Sequence, residues 1–368
     1  MNRLGIVTAI LASWIFFIAN TILPIADNNL SGNSNNNPIW AVVTTINYPS
    51  EALKKLNCLA NVHLVVVADK KTPADWYLEG CEFLSVDRQM SLNYRIISLL
   101  PWNHYSRKNI GYLYAIEHGA RIIYDTDDDN IIMGNCIEYE PTRTQIMTPL
   151  TQAHVINPYA YFGQDTVWPR GYPLQCILEN TQTTQSMLDC RPLIQQGLVN
   201  NDPDVDAIFR LTRKLPISFD DNQPICLPVG TMAPFNTQNT VFHYDAFWGL
   251  IIPITTAFRV CDIWRGYWVQ RILWQIDGNL CFLPARVIQQ RNSHNYMYDF
   301  IDETDLYLKA GDLINFLCLW QPKSKDLFNT IVELHTSLID AGFFKSQELE
   351  LTKAWLEDLG IIGYQPHI

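Results

Sequence analysis

The sequence predicts an α/β fold: an open, mostly parallel sheet with helices on both faces. Three observations carry that expectation. From Ile39 onward, continuous apolar, β-branched runs alternate with segments of helical spacing, as strands buried on both faces require. Two of those runs stop at acidic residues, Asp69 and the cluster Asp125 to Asp129, at the strand ends where such sheets bind ligands. With 368 residues and 48% hydrophobic content, the chain can bury one large core or two smaller ones.

Taken in order, Leu4 to Ile25 is an uncharged apolar run behind Asn2 and Arg3. A bilayer is crossed by about 20 such residues, and no small-x-small cleavage site closes the run. Residues 1–25 are therefore expected to be a retained signal anchor. With Arg3 on the short side and Asp27 beyond, the body is expected in the lumen, as in a single-pass type II protein. Residues 26–38, Asn-rich and aperiodic, read as a flexible stem carrying the sequon Asn29-Leu30-Ser31.

The expected body begins with the strand Ile39 to Ile46 and a helix in "PSEALKKL" capped by Ser50. A second strand runs from His63 to Asp69, and "CEFLSV" supplies a third. "QMSLNYRIISLL" and "RKNIGYLYAIEHGA" have helical spacing, the latter closed by Gly119. "RIIY" is the strand that ends at the aspartates. Between Met133 and Pro228 the chain is rich in Pro, Asn and Gln and is expected to form long loops. Residues 302–368 read as a helical subdomain, with Phe328, Ile331, Val332, Leu338 and Ile339 on one face, and Ser346 and Gly360 as caps of the last helix.

Several function classes fall away. A net charge of −11, with no basic block, argues against nucleic acid. Nine scattered cysteines without a C-x-x-C suggest no zinc site and allow one or two lumenal disulfides. The dinucleotide, P-loop, nucleophile-elbow and H-E-x-x-H motifs are absent. An EF-hand fails because Asn130 stands where Gly is needed and Cys136 where Glu is needed.

Four aspartates in five positions repel one another unless something positive sits among them. A metal ion, a basic side chain or solvent at a turn would each answer. A strand ending in D-x-D favours Mg²⁺ or Mn²⁺ held by one or two carboxylates, with phosphate oxygens and water completing the shell.

"WAVVTTIN", "LVVVADKKTP", "RKNIGYLYAIEHGARIIYDTDDDN", "DPDVDAIFRLTR", "MAPFNTQNTVFHYDAFWGL" and "CDIWRGYWVQRILW" together resemble the STELLO-type glycosyltransferase family over about Trp40 to Leu308. A more distant likeness is to the reversibly glycosylated polypeptides, the UDP-arabinose mutases, in the aspartate triplet, "RGYP" at Arg170 to Pro173, and D-x-W at Asp262 to Trp264. Both likenesses imply a GT-A-like fold over residues 39–301. They also imply a nucleotide-sugar donor, by preference UDP-linked, and a metal-binding D-x-D. The implied activity is sugar transfer to a glycan or glycoprotein acceptor in the Golgi or ER lumen. A partnership with a membrane enzyme, or a homo-oligomer, is compatible with it.

The triplet likeness makes Asp127 and Asp129 the expected metal ligands, with Asp128 beside them and Asp125 with Asp127 as the alternative pair. His294 is a further candidate ligand. Thr44 and Thr45 would line the donor pocket, and Asp69 would meet the base or ribose. "RKNIGY" resembles the Arg-Asn-Gly segment of other GT-A enzymes, which implies donor contacts for Arg107, Lys108 and Asn109. Asp262, among Trp264, Tyr267 and Trp268, is the expected catalytic base, with a sugar stacked on those rings. Arg170 matches the arginine glycosylated in the mutases. A mutase, or a catalytically silent partner of a membrane polysaccharide synthase, is the rival reading.

Overall fold

The computed structural model describes residues 38–151, 153–179, 184–291 and 295–367, and they fall in one compact unit. The apolar run 4–25, the stem through residue 37, the sequon and His294 lie outside the described residues. Among the described residues, no helix is long and apolar enough to cross a membrane.

Four strands form the parallel half of the sheet: β1 (Ile39–Thr45), β2 (Val62–Ala68), β3 (Glu82–Leu84) and β4 (Ile122–Thr126), in the order β3-β2-β1-β4. Their alternate residues feed two cores. Trp40, Val42, Val65, Val67 and Ile123 enter one, and Ile39, Ala41, Val43, Leu64, Val66 and Ile122 enter the other. Helix α1 (Glu51–Asn57) covers the second face with Leu53 and Leu56; Ser50 Oγ caps it by accepting from Leu53 N at 3.2 Å. Each such side chain, fully buried, contributes about 1.5–3 kcal/mol.

The expected helix over Gln89 to Leu100 is broken into α2 (Val86–Ser91) and a 3₁₀ turn at Arg95–Ser98, with Leu92 extended between them. Helix α3 (Lys108–Glu117) covers the first face. It lies close to the sheet because Gly111 faces it: a Cβ there would come within 2.6 Å of both Val42 and Val67. Gly119, with φ +89, turns the chain toward β4.

Beyond β4 the sheet is mixed. Its remaining strands are β5 (Asn130–Ile132), β6 (Thr144–Leu150), β7 (Thr184–Cys190), β8 (Pro192–Asn200), β9 (Ile225–Cys226), β10 (Asn239–His243) and β11 (Asn279–Gln289). The order continues β4-β10-β8-β11-β9-β6-β7, with β5 on β11. β10 runs antiparallel to both β4 and β8, while β8 and β11 are parallel. The class is the expected GT-A-like α/β arrangement.

The region expected to be loops thus contains β6, β7, β8, β9 and the short helix α4 (Ala207–Thr212). β8 hides from a hydrophobic reading because Gln195, Gln196 and Gly197 occupy its centre. Both glutamine amides are hydrogen-bonded inside: Gln195 to the carbonyls of Glu140 and Pro192 at 2.8 and 2.9 Å, and Gln196 from Asn236 N and Thr240 Oγ1 at 3.0 Å each. Satisfied in this way, buried polar groups are tolerated in a central strand. Cys226 and Cys281, opposite each other on β9 and β11, form a disulfide.

The remaining helices are α5 (Cys261–Leu273), α6 (Tyr296–Asp302), α7 (Thr304–Leu319), α8 (Leu327–Asp340) and α9 (Gln347–Ile361). Ile331, Leu334 and Leu338 of α8 and Leu351, Trp355 and Leu359 of α9 join the same core as the first sheet face. Polar links reinforce that packing. Asp358 accepts from the backbone N–H groups of Arg95 and Ile96 at 2.9 and 3.0 Å. Ser346 occupies the N-cap of α9 without a side-chain bond, and Gly360 lies inside the helix instead of ending it.

Candidate active site

A cleft of about 450 Å³ opens at the carboxyl ends of β1, β2 and β4. Thr44, Thr45, Asp69, Asp127, Asp128, Asp129, Arg170 and Asp262, all picked out from the sequence, line it together. They come from positions 218 residues apart at the extremes (262 − 44).

The acidic wall follows directly from β4. Asp128 turns back toward β1, where Thr45 Oγ1 donates to its Oδ2 at 2.5 Å and Asn47 Nδ2 at 3.3 Å. Asp127 points into the cleft with 31% of its side chain open; the Tyr105 hydroxyl donates to it and Lys108 Nζ lies 3.5 Å away. Asp129 Oδ2 accepts from Gln289 Nε2 at 2.9 Å, while its Oδ1 is buried without a partner. Burial pushes the Asp127 carboxyl up to about 7, against the pull of Lys108 and with repulsion from Asp129 adding to it. Burial likewise raises Asp129 to about 6.

A divalent cation fits this donor set on one specific ground. An ionised carboxylate oxygen buried without hydrogen or cation is costly, and Asp129 Oδ1 is one, beside Asp127. Among the described residues no three His, Cys, Asp or Glu side chains converge as a complete shell. A hard ion using one or two carboxylates plus substrate oxygens needs no such shell.

Asp125 has a different task. Its carboxylate is fully buried, with Oδ1 2.7 Å from Lys108 Nζ and Oδ2 3.1 Å from both Nη atoms of Arg265. The alternative pair Asp125 with Asp127 is therefore set aside: Asp125 neutralises two buried cations and does not reach the cleft. The donor contacts expected of Arg107, Lys108 and Asn109 are corrected for the same reason. Arg107 stacks on Trp102, 3.7 Å from the ring centroid, and its Nε and Nη2 donate to Gln89 at 3.1 and 2.5 Å. Asn109 is bonded in both directions to the backbone of Ile252, at 3.0 and 2.8 Å. All three face inward from the start of α3.

Asp69 lines the cleft, but its oxygens accept the backbone N–H groups of Lys70, Asn103 and His104, at 2.7, 2.8 and 3.1 Å. It holds the Asn103–His104 loop as part of the cleft wall.

The second wall is an ion-pair network. Arg170 donates through Nη1 and Nη2 to the two oxygens of Asp262 at 3.0 and 2.7 Å, and through Nε to Asp204 at 2.8 Å. Burial alone would raise Asp204, but Arg170 outweighs it and holds this carboxyl down at about 2. Gly171, at φ +86, makes the turn possible, and a Cβ there would strike Ile263 of α5 at 2.4 Å. Arg170 is thus braced between two carboxylates and buried, which removes it as a surface for glycosylation. Asp262 is paired with Arg170 and not with its neighbour Arg265. Trp264, Tyr267 and Trp268 are core residues of α5, so the expected sugar stacking on them is also corrected. The cleft is instead lined by Phe258, 52% exposed, and Tyr105, whose rings pack edge-on against each other.

Sequence reasoning missed Asp204, Asn236, Arg259, Gln289 and Arg291, all in the cleft wall. Only the polar "DPD" around Asp204 and the "RVIQQRN" end of an apolar strand hinted at them.

Residues 259–367 match the family described as STELLO glycosyltransferases. Two curated relatives from Arabidopsis thaliana, "Probable glycosyltransferase STELLO1" and "Probable glycosyltransferase STELLO2", are each 38% identical to the chain, over 346 and 347 residues. Each comparison covers 89% of this chain and 45% of the relative, so the chain spans about half the length of the curated relatives it matches.

Proposed function

The chain belongs to the STELLO-type family, and from that premise we propose that it is a glycosyltransferase acting on a nucleotide-sugar donor, by preference UDP-linked, and a glycan or glycoprotein acceptor. The observation that carries this reading is Asp129: one oxygen buried and unpartnered, next to Asp127, in a cleft at the ends of parallel strands. Asp127 and Asp129 would hold Mn²⁺ or Mg²⁺, with His294 as a further candidate ligand. When bound, such an ion supplies Lewis-acid stabilisation of a diphosphate leaving group.

The protein's own groups supply the rest. Thr44, Thr45 and the loop held by Asp69 form the wall against which the nucleoside would lie. Asp128, tied to Thr45, fixes the turn that presents its two neighbours. Asp262 would take the acceptor hydroxyl proton, with Arg170 orienting it through both oxygens. The Cys226–Cys281 disulfide supports a lumenal, oxidising location, Golgi or ER, with the N-terminal apolar run as the anchor.

The same Arg170–Asp262 pair favours a second reading, since a carboxylate engaged twice by arginine is a poor proton acceptor. In that reading the cleft binds a nucleotide and the protein positions a membrane polysaccharide synthase without transferring sugar.

The test is thermal unfolding of the full chain with UDP, GDP and CDP, each with and without Mn²⁺, alongside a nucleotide-release assay. A ligand bound only by the folded state raises stability by about 2.7 kcal/mol at a hundredfold excess over Kd. We expect one nucleotide to stabilise, only with metal, and Asp129→Ala to abolish the shift. A shift without turnover supports the second reading; no shift at all removes the donor site.

A further inference from the structure

Resting on that donor site, we propose that Arg291 is the residue that grips the donor diphosphate beside the metal-holding aspartates. Three arginines line the cleft, and two are spent. Arg170 is matched by Asp204 and Asp262, and Arg259 donates twice to Glu303, at 2.9 and 2.6 Å. Arg291 differs. Its side chain is only 7% exposed, Nη2 meets Asp299 at a long 3.2 Å, and Nε is buried with no partner. Arg210 and Arg259 lie near enough to repel it. Burial first, and those like charges second, push its guanidinium down to about 10.

A buried charged donor without an acceptor is expensive. Here the unpartnered donor adjoins unpartnered acceptors. Gln289, two residues earlier on the same strand end, holds Asp129 by one amide atom and leaves Oε1 free, as Asp129 leaves Oδ1. The patch therefore lacks a cation for the free carboxylate oxygen and an acceptor for the guanidinium Nε, Nη2 alone being met by Asp299. A diphosphate carrying a divalent cation supplies both at once, through charge-assisted hydrogen bonds to arginine and oxygen ligation of the metal. A carboxylate on the transferred sugar is the other source of such an anion.

The experiment uses the full chain and the variants Arg291→Gln and Arg291→Lys. Each is titrated, by thermal shift and by calorimetry in Mn²⁺, with whichever of UDP, GDP or CDP the wild type binds, with the matching monophosphate, with the matching nucleotide-linked uronic acid, and with inorganic pyrophosphate. In Arg291→Gln we expect about ten- to hundredfold weaker diphosphate and pyrophosphate binding, the range of one charge-assisted bond. Monophosphate binding and Mn²⁺ binding alone should hold, the ligand-free Tm should fall because Asp299 loses an ion-pair partner, and Arg291→Lys should recover part of the binding loss. Undiminished diphosphate binding in Arg291→Gln overturns the assignment. So does an equal loss of Mn²⁺ affinity or of monophosphate affinity, which would make Arg291 a structural brace. Loss confined to a nucleotide-linked uronic acid would give the arginine to the sugar carboxylate and also overturn it. If the wild type binds none of these ligands, the donor site itself falls; if only the variant result fails, the donor site stands without Arg291.

Discussion

Lys108 Nζ and Asp125 Oδ1 sit 2.7 Å apart with neither side chain exposed, and Arg265 closes on the other oxygen of the same carboxylate. α3 and α5 are thereby locked to the end of β4. Removing one member of a buried pair leaves an uncompensated charge and costs about 3–5 kcal/mol. Asp125→Ala is expected to lose at least that much in urea unfolding, because it strands two cations. Loss below about 1 kcal/mol would show that the triad is not buried as described.

Arg170 offers a second, independent test of geometry. Arg170→Ala should destabilise by about 3–5 kcal/mol through exposing Asp204 and Asp262 to each other. Arg170→Lys should rescue little, because an ammonium lacks the fork that reaches both carboxylates. Mass spectrometry after incubation with a nucleotide sugar should find Arg170 unmodified; a glycosylated Arg170 would return the mutase reading to the front.

Metal binding should depend unequally on the aspartates. Asp129→Ala and Asp127→Ala are each expected to reduce Mn²⁺ affinity by tenfold or more, read from the free-ion spin-resonance signal. Asp128→Asn should leave it within about threefold, since that carboxylate is turned toward Thr45. Equal losses in all three would place the ion elsewhere in the cluster.

The elevated carboxyls set a pH signature. Asp127 titrates at about 7 and Asp129 at about 6 in the folded chain, against about 3.9 when unfolded. The unfolded state therefore releases these protons first. Their contribution to stability is fully present below about pH 4 and is lost as pH rises through 6 to 7. The metal-free Tm of the wild type, minus that of Asp127→Asn/Asp129→Asn, should fall across that window. Saturating Mn²⁺, which favours the ionised forms, should flatten or reverse the difference. A difference independent of pH without metal would contradict the burial assigned to both groups.

The acidic end of β4 was legible because an apolar strand and a charge cluster are adjacent in the chain, and topology puts strand ends at the cleft. Direction was not legible. Arg107, Lys108 and Asn109 sit just before a helix, and nothing local says that their side chains turn into the core to meet Gln89, Asp125 and Ile252. Gln289 touches Asp129 across 160 residues, a pairing set by β11 against β5 and by no motif. β8 was missed because its polar centre is satisfied by partners that only the folded sheet supplies.

Gly111 has a reach beyond packing. Alanine in a helix interior is ordinarily worth about 1 kcal/mol over glycine, yet here it would force α3 off Val42 and Val67. Lys108 rides on the same helix, one turn earlier, and its Nζ must still meet Asp125 and the Thr126 carbonyl. The residue with no side chain thus sets how deeply a charge is seated beneath the aspartates of the cleft. A search for stabilising substitutions that scored helix propensity alone would choose this position and, in choosing it, detune the cleft.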